Sequence, residues 1–278
     1  MKDDPSMSMQ RSKVTVPSLA DYKVNNVPLT MVTAYDSTFA SIVDEAGVDL
    51  ILVGDSVATV MQGHRNTLPV SMEHMEYHVQ MVASARPKAL IVGDLPFGSY
   101  QTSPRDAVLN AVRLIKAGAE LVKLEGGVYS EEAIKAIVRA DIPVMGHIGL
   151  TPQSYHRMGG NKIQGRQDGN QSGGRDRLSA DARAVENAGA CSFVIEAVPA
   201  TLAAEITSTS GIPTIGIGAG AACDGQVLVL HDLLGLSERS FSFAKAYNNL
   251  RAQSITAVSE YVSDVRSRSF PDESHSFH

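Results

Sequence analysis

The stretch Ala89–Gly127, ALIVGDLPFGSYQTSPRDAVLNAVRLIKAGAELVKLEGG, decides the fold. It opens with the apolar run Ala89–Gly93, turns at Asp94-Leu95-Pro96 and continues as a segment with helical spacing. Ser103-Pro104 starts that segment with Pro at the first helical position, and Gly118 follows its last residue, Ala117. A second apolar run, Glu120–Leu124, then turns at Glu125-Gly126-Gly127. Short apolar runs bounded by turn residues read as strands buried on both faces. One unit earlier, Val48–Val53 ends in the same way at Gly54-Asp55-Ser56. Asp55, Asp94 and Glu125 are 39 and 31 residues apart, about one strand plus one helix each. Parallel neighbouring strands bring these three carboxylates to one end of a sheet, where their repulsion is costly unless a cation sits among them.

The same rhythm extends in both directions. Pro28–Ala34, Ile142–Gly146, 190–195, 213–217 and Gln226–Leu230 read as further strands. Helices are expected at Asp36–Ala46, Glu73–Arg86, Ser130–Ala140, 178–188, 199–209 and Tyr247–Asp264, with Asp36 and Ser130 as N-caps. Ala46-Gly47, Ala117-Gly118 and Ala188-Gly189 recur at intervals of 71 residues, each at a helix end running straight into a strand. Glycine there stops the helix in a left-handed turn. About eight strands alternating with helices, with no linker between, predict a single α/β domain, a (β/α)8 TIM barrel over residues 27–278, preceded by a polar leader over 1–26. An open doubly wound sheet is the alternative. Residues 150–176 break the rhythm and read as a functional lid or binding loop, or as disorder.

Composition narrows the function. In 278 residues, 44% are apolar, and the net charge of −6 comes with no dense Lys/Arg run, which argues against nucleic acid as a partner. No apolar run is long enough for a membrane span, and Cys191 and Cys223 have no metal-ligand or disulfide spacing. A cytoplasmic protein acting on a small molecule is the expectation.

In a barrel, the active site lies at the C-terminal ends of the strands. Those ends carry Tyr35, Asp55, Asp94, Glu125, His147 and Glu196 in order, then glycines after the seventh strand. Asp55, Asp94 and Glu125 are hard oxygen donors, suited to Mg²⁺, or to Mn²⁺ or Co²⁺ in its place. Each could equally cap the turn or helix after it. Lys123 lies two residues before Glu125, so both face the interior, where a lysine needs an anionic partner: a bound carboxylic acid substrate or a structural Asp. Glu196, away from the acid cluster, is free to act as a base. Gly216-Ile217-Gly218-Ala219-Gly220-Ala221 is a weak match to a dinucleotide fingerprint; glycines here could instead cradle a phosphate or leave room for a flat substrate.

Several motifs together carry a resemblance. Gly54-Asp55-Ser56, Asp94-Leu95-Pro96-Phe97, Val122-Lys123-Leu124-Glu125-Gly126-Gly127, Gly146-His147-Ile148-Gly149-Leu150-Thr151-Pro152-Gln153-Ser154, Glu196-Ala197-Val198-Pro199 and Glu273-Ser274-His275-Ser276-Phe277-His278 resemble ketopantoate hydroxymethyltransferases, in the right order over about residues 28–278. The resemblance implies a (β/α)8 barrel with a divalent metal, usually Mg²⁺. It implies one-carbon transfer from 5,10-methylenetetrahydrofolate to 3-methyl-2-oxobutanoate through an enolate. It implies metal ligation by Asp55, Asp94 and Glu125, substrate contacts from Ser56, Asp94, Lys123 and His147, Glu196 as catalytic base, and a homo-oligomer, typically a decamer. Gln167–Arg175 departs from the family in length and Gly/Gln content, as does the leader. The competing readings are a Mg²⁺-dependent lyase or mutase of the phosphoenolpyruvate mutase and isocitrate lyase group, against which the lack of a lid-loop cysteine counts, and a non-catalytic barrel binding a phosphorylated ligand at 216–221.

Overall fold

The computed structural model describes residues 11–169, 171, 173–238 and 241–277. Residues 1–10 of the expected leader, Asn170 and Ser172 of the long loop, and His278 lie outside them.

Eight parallel strands close into a barrel in chain order: β1 (Leu29–Thr33), β2 (Leu50–Val53), β3 (Leu90–Asp94), β4 (Leu121–Lys123), β5 (Val144–Gly149), β6 (Ser192–Glu196), β7 (Thr214–Ile217) and β8 (Gly225–Leu228). β8 pairs back onto β1, with Met31 opposite Val227. The open-sheet alternative is therefore excluded. Closure leaves no free edge, and burial on both faces explains why these runs are almost wholly apolar.

The helix boundaries follow local chemistry. Asp36 caps helix Ser37–Glu45 by accepting from Phe39 N at 2.9 Å, and Ser103 caps helix Pro104–Ala117 by accepting from Asp106 N at 3.0 Å. The three repeat glycines all have left-handed backbone, with φ of 91° at Gly47, 116° at Gly118 and 96° at Gly189. One expected cap fails: Ser130 makes no side-chain cap, because its hydroxyl donates to Glu125 O at 2.8 Å. The serine thus fastens the turn after β4.

Inside the barrel, Leu29, Met31, Leu50, Leu52, Leu90, Val92, Leu121, Met145, Val194, Ile215 and Val227 form one cluster. Val14 and Leu19 belong to it as well. Residues 11–26, expected as part of a polar leader, instead bring helix Ser18–Val24 and these two apolar side chains onto the core. β7 passes directly to β8 through the glycine-rich turn 218–224, with no helix between them. No helix opens after those glycines, so the context of a dinucleotide fingerprint is missing. Residues 229–277 form a compact unit of their own, containing helices Leu230–Leu233 and Leu250–Ser267. Among the described residues no helix is long and apolar enough to cross a membrane.

Candidate active site

Strand parity decides what reaches the mouth of the barrel. Val92 on β3, Leu121 on β4, Met145 on β5 and Val194 on β6 all point into the central cluster. Side chains alternate along a strand, so two residues further on each faces the same way. Those positions are Asp94, Lys123, His147 and Glu196. Glu125 continues the parity of Lys123 one step beyond the strand. Asp55 arrives differently, from the turn after β2, and its backbone N–H donates to Asp94 Oδ2 at 3.1 Å. Asp55, Asp94, Lys123, Glu125 and His147 are all buried, while the Glu196 side chain is 18% exposed.

The cluster is one electrostatic unit. Lys123 Nζ donates to both oxygens of Asp94, at 2.7 and 2.8 Å, so in this structure its anionic partner is Asp94. Burial opposes the ammonium charge, but Asp94, Glu125 and Asp55 outweigh it and raise the lysine above its ordinary pKa. Burial, and then the charge of Asp94, push the Asp55 carboxyl up to about 7. Burial, followed by the charge of Asp55, lifts Glu125 well above the usual carboxylate range. Three buried carboxyls crowd one ammonium, and their mutual repulsion is relieved by holding protons on Asp55 and Glu125.

Gln153 organises this side, and the sequence reading passed over it inside the irregular 150–176 loop. Its Nε2 donates to Asp55 Oδ2 and to Leu95 O, both at 3.0 Å, and its backbone N–H donates to Glu125 Oε2 at 2.9 Å. Its Oε1 accepts from Tyr100 Oη at 2.8 Å. One residue, through its side-chain amide and its backbone N–H, thus spans the ends of β2, β3 and β4. The signal available in sequence was its place six residues after His147, in a turn tied to strand β5. Within 150–176, residues Pro152–Ser154 and Tyr155–Met158 form short helical turns instead of irregular chain.

On the other side, polar atoms lack partners. His147 Nε2 lies 3.2 Å from Glu196 Oε2 and its Nδ1 lies 3.6 Å from Glu125 Oε1, but neither contact is a hydrogen bond. Among the described residues, Glu125 Oε1 and both His147 nitrogens are buried without a hydrogen-bond partner. Buried polar atoms left this way cost about 1–3 kcal/mol each, so they mark a place where a ligand belongs. Gly149 holds the backbone there: with φ of 91°, a Cβ on it would come within 2.3 Å of Glu196 O. Ser56 Oγ sits 2.8 Å from Tyr35 Oη at the neighbouring rim.

The hard oxygen donors of Asp55, Asp94 and Glu125, with Glu125 Oε1 lacking a partner among the described residues, are of the chemical type that a divalent cation takes. Among the described residues no group of three or more His, Cys, Asp or Glu side chains is placed to hold a metal ion, so Asp55, Asp94 and Glu125 are not arranged here as a three-carboxylate ligand set.

The family model for ketopantoate hydroxymethyltransferase matches residues 13–273. A 3-methyl-2-oxobutanoate hydroxymethyltransferase of Geobacter metallireducens is 54% identical over 97% of this chain and 100% of its own length. One from Moorella thermoacetica is 51% identical over 96% of this chain and 99% of its own length. Among solved structures, 2,3-dimethylmalate lyase, a member of the phosphoenolpyruvate mutase/isocitrate lyase superfamily, aligns over 96% of this chain and 93% of its own with a TM-score of 0.59 and 16% identity. Phosphonopyruvate hydrolase in complex with oxalate and Mg²⁺ aligns over 94% of this chain and 92% of its own with a TM-score of 0.61 and 13% identity. At such identities the solved structures establish the barrel alone, whereas the sequence relatives share both its full length and half its residues. The chain belongs to the ketopantoate hydroxymethyltransferase family.

Proposed function

We propose that the protein transfers a hydroxymethyl group from 5,10-methylenetetrahydrofolate to 3-methyl-2-oxobutanoate, giving 2-dehydropantoate. The observation that carries this is the pairing of His147 and Glu196, whose facing atoms are 3.2 Å apart and unbonded at the mouth of an acid-lined barrel. The names of the relatives supply the substrate.

Asp55, Asp94 and Glu125 would hold Mg²⁺, or Mn²⁺ or Co²⁺ in its place. When bound, the cation supplies Lewis-acid polarisation of the keto oxygen of the 2-oxo acid. Ser56, Asp94, Lys123 and His147 orient that acid, and the ammonium of Lys123 and the imidazole of His147 face the oxygens where negative charge develops. Glu196 takes the proton from C3 into its carboxylate. The resulting carbanion of the 2-oxo acid forms a bond to the methylene carbon of the folate as the first of that carbon's two carbon–nitrogen bonds breaks and its nitrogen takes a proton. Water supplies the hydroxyl as the second carbon–nitrogen bond breaks, its other proton going to the nitrogen of the released tetrahydrofolate. Glu196 suits the base role because it is partly exposed and not drawn into the Asp55–Asp94–Glu125 network.

We also infer a homo-oligomer, a decamer by family resemblance, working in the cytoplasm. In support, helix Leu250–Ser267 buries none of its residues, and Ile255, Val258, Tyr261 and Val265 form an exposed apolar stripe along it.

The test is exchange of the C3 proton of 3-methyl-2-oxobutanoate into deuterated water, followed by NMR with and without Mg²⁺ and folate. Metal-dependent exchange without folate, and hydroxymethyl product only with it, is the expected outcome. Folate-independent carbon–carbon cleavage would favour the lyase reading that the fold neighbours share.

A further inference from the structure

Tyr100, in the loop between β3 and helix Pro104–Ala117, is 3% exposed, and the proposed chemistry does not use its hydroxyl. Its Oη accepts from the backbone N–H of Glu125 at 3.1 Å. The same oxygen lies 2.8 Å from Gln153 Oε1 and 3.0 Å from Glu125 O, two acceptors for one phenolic proton. Glu125 O also accepts from Ser130 Oγ at 2.8 Å, and Gln153 Oε1 from Gln101 Nε2 at 3.1 Å. The loop itself is held, since Asn110 Nδ2 of the following helix donates to Ser99 O at 2.7 Å. A ring alone would fill this space. The hydroxyl does more, because it meets both Glu125 and the residue that faces Asp55.

Backbone groups at both ends set the direction of this network. Gln101 Oε1 accepts from the N–H of Gly98 at 2.7 Å, so Gln101 Nε2 is the end that donates to Gln153. Gln153 Nε2 in turn donates to the carbonyl of Leu95 at 3.0 Å, which leaves its oxygen facing Tyr100 and Gln101. That orientation turns the other N–H of the amide onto Asp55 Oδ2, also at 3.0 Å. Reversed, the amide would set its oxygen against the Asp55 carboxyl and its NH2 against that of Gln101. Two donors on Gln153 Oε1 hold the amide out of that reversed state.

We propose that Tyr100 is a positioning residue for the acid cluster: with Gln101 it fixes the Gln153 amide so that a donor faces Asp55, and it holds the main chain of Glu125. One hydroxyl thereby ties two carboxyls, from the ends of β2 and β4, to the loop after β3. The inference rests on the reading that these carboxyls take a divalent cation. Ligands already held in place leave less ordering for binding to impose. Loss of the hydroxyl therefore weakens cation binding first, and bears much less on the reacting pair His147 and Glu196.

Calorimetric titration of the metal-free full chain with Mn²⁺ tests this. Tyr100→Phe keeps the ring and weakens binding about tenfold, the effect of one lost hydrogen bond. Gln101→Leu weakens it about threefold. Gln101 is exposed, so its variant reads the same role even if Tyr100→Phe folds poorly. In a Gln153→Leu background the amide to be oriented is gone, so Gln101→Leu costs nothing further and Tyr100→Phe costs less than it does alone. In C3-proton exchange, Tyr100→Phe raises the Mg²⁺ concentration for half-maximal rate by the factor seen with Mn²⁺ and lowers the rate at saturating Mg²⁺ far less. A tyrosine that only packs would lower the melting temperature and move neither metal value. Wild-type Mn²⁺ affinity in both Tyr100→Phe and Gln101→Leu, or losses that simply add in the Tyr100→Phe/Gln153→Leu double variant, would overturn the assignment. So would a wild type that binds no Mn²⁺, which ends the metal reading with it. Tyr100-dependent Mn²⁺ binding without exchange sinks the proposed reaction and leaves the positioning role. Metal-dependent exchange with an unaltered Mg²⁺ requirement in Tyr100→Phe sinks the positioning role alone.

Discussion

The two halves of the barrel mouth are built on opposite terms. At β2–β4, Asp55, Asp94, Lys123 and Glu125 are buried and tied together by Gln153 and by the Lys123–Asp94 pair. At β5–β6, His147 and Glu196 approach each other without a hydrogen bond. A group locked in a network resists a change of protonation, since each of its bonds favours one charge state. The loosely held pair is where a proton can move. The sharpest way to break this contrast is Glu196→Gln, which keeps the shape and removes the base. The expected loss in kcat is about 10²–10⁴, with unchanged thermal stability and unchanged metal binding by titration. Near wild-type turnover would end the assignment.

The locked half should respond in stability instead. Lys123→Met removes one member of a buried ion pair and leaves Asp94 uncompensated beside Asp55. Such a break costs about 3–5 kcal/mol, read as a lower urea midpoint at unchanged slope. Replacing both partners, Lys123→Met with Asp94→Asn, should recover much of that loss. A double variant no better than the single one would mean that the pair is not the source of the cost.

The contrast between the halves also shows what the sequence could reveal. Strand parity is a local rule with period two, so Lys123 and Glu125 could be placed inside from their spacing alone. The acids at 55, 94 and 125 stood out because each ends an apolar run. Gln153 did not, because a loop without a period gives no direction to its side chains. Val14 and Leu19 were hidden by the polar residues around them, although two apolar side chains suffice to join the end of a barrel core. The direct passage from β7 to β8 was legible, because Gly216, Gly218 and Gly220 are poor helix formers and no helical spacing separates the two apolar runs. No local signal announced that Ser130 would bond back to Glu125 instead of capping its helix.

Titration provides a third test. Without metal, Asp55 and Glu125 both have folded-state pKa values above their unfolded ones, so the folded protein binds protons more tightly at this site. Their favourable contribution is complete below the unfolded carboxylate range near pH 4 and is lost as pH rises through about 7 for Asp55. In EDTA, the melting temperature contribution from this half therefore falls between pH 5 and 8. Added Mg²⁺ favours the ionised carboxylates, so its stabilising shift should be larger at pH 8 than at pH 5. Equal shifts at both values would show that the locked half does not hold the cation.

The smallest effect expected is the most informative about why the halves differ. Gln153→Leu preserves much of the side-chain volume but strips Asp55 and Leu95 O of their amide donor, while Tyr100 Oη keeps Glu125 O as an acceptor at 3.0 Å. The backbone N–H to Glu125 Oε2 survives, since it does not depend on the side chain. The loss should be about 1–3 kcal/mol, the cost of an unsatisfied buried polar group. Because Glu125 keeps one bond while Asp55 loses one, metal affinity should fall more than the C3-exchange rate measured at saturating Mg²⁺. A variant that loses exchange at saturating metal while retaining affinity would place Gln153 with His147 and Glu196, and the division of the barrel mouth would have to be redrawn.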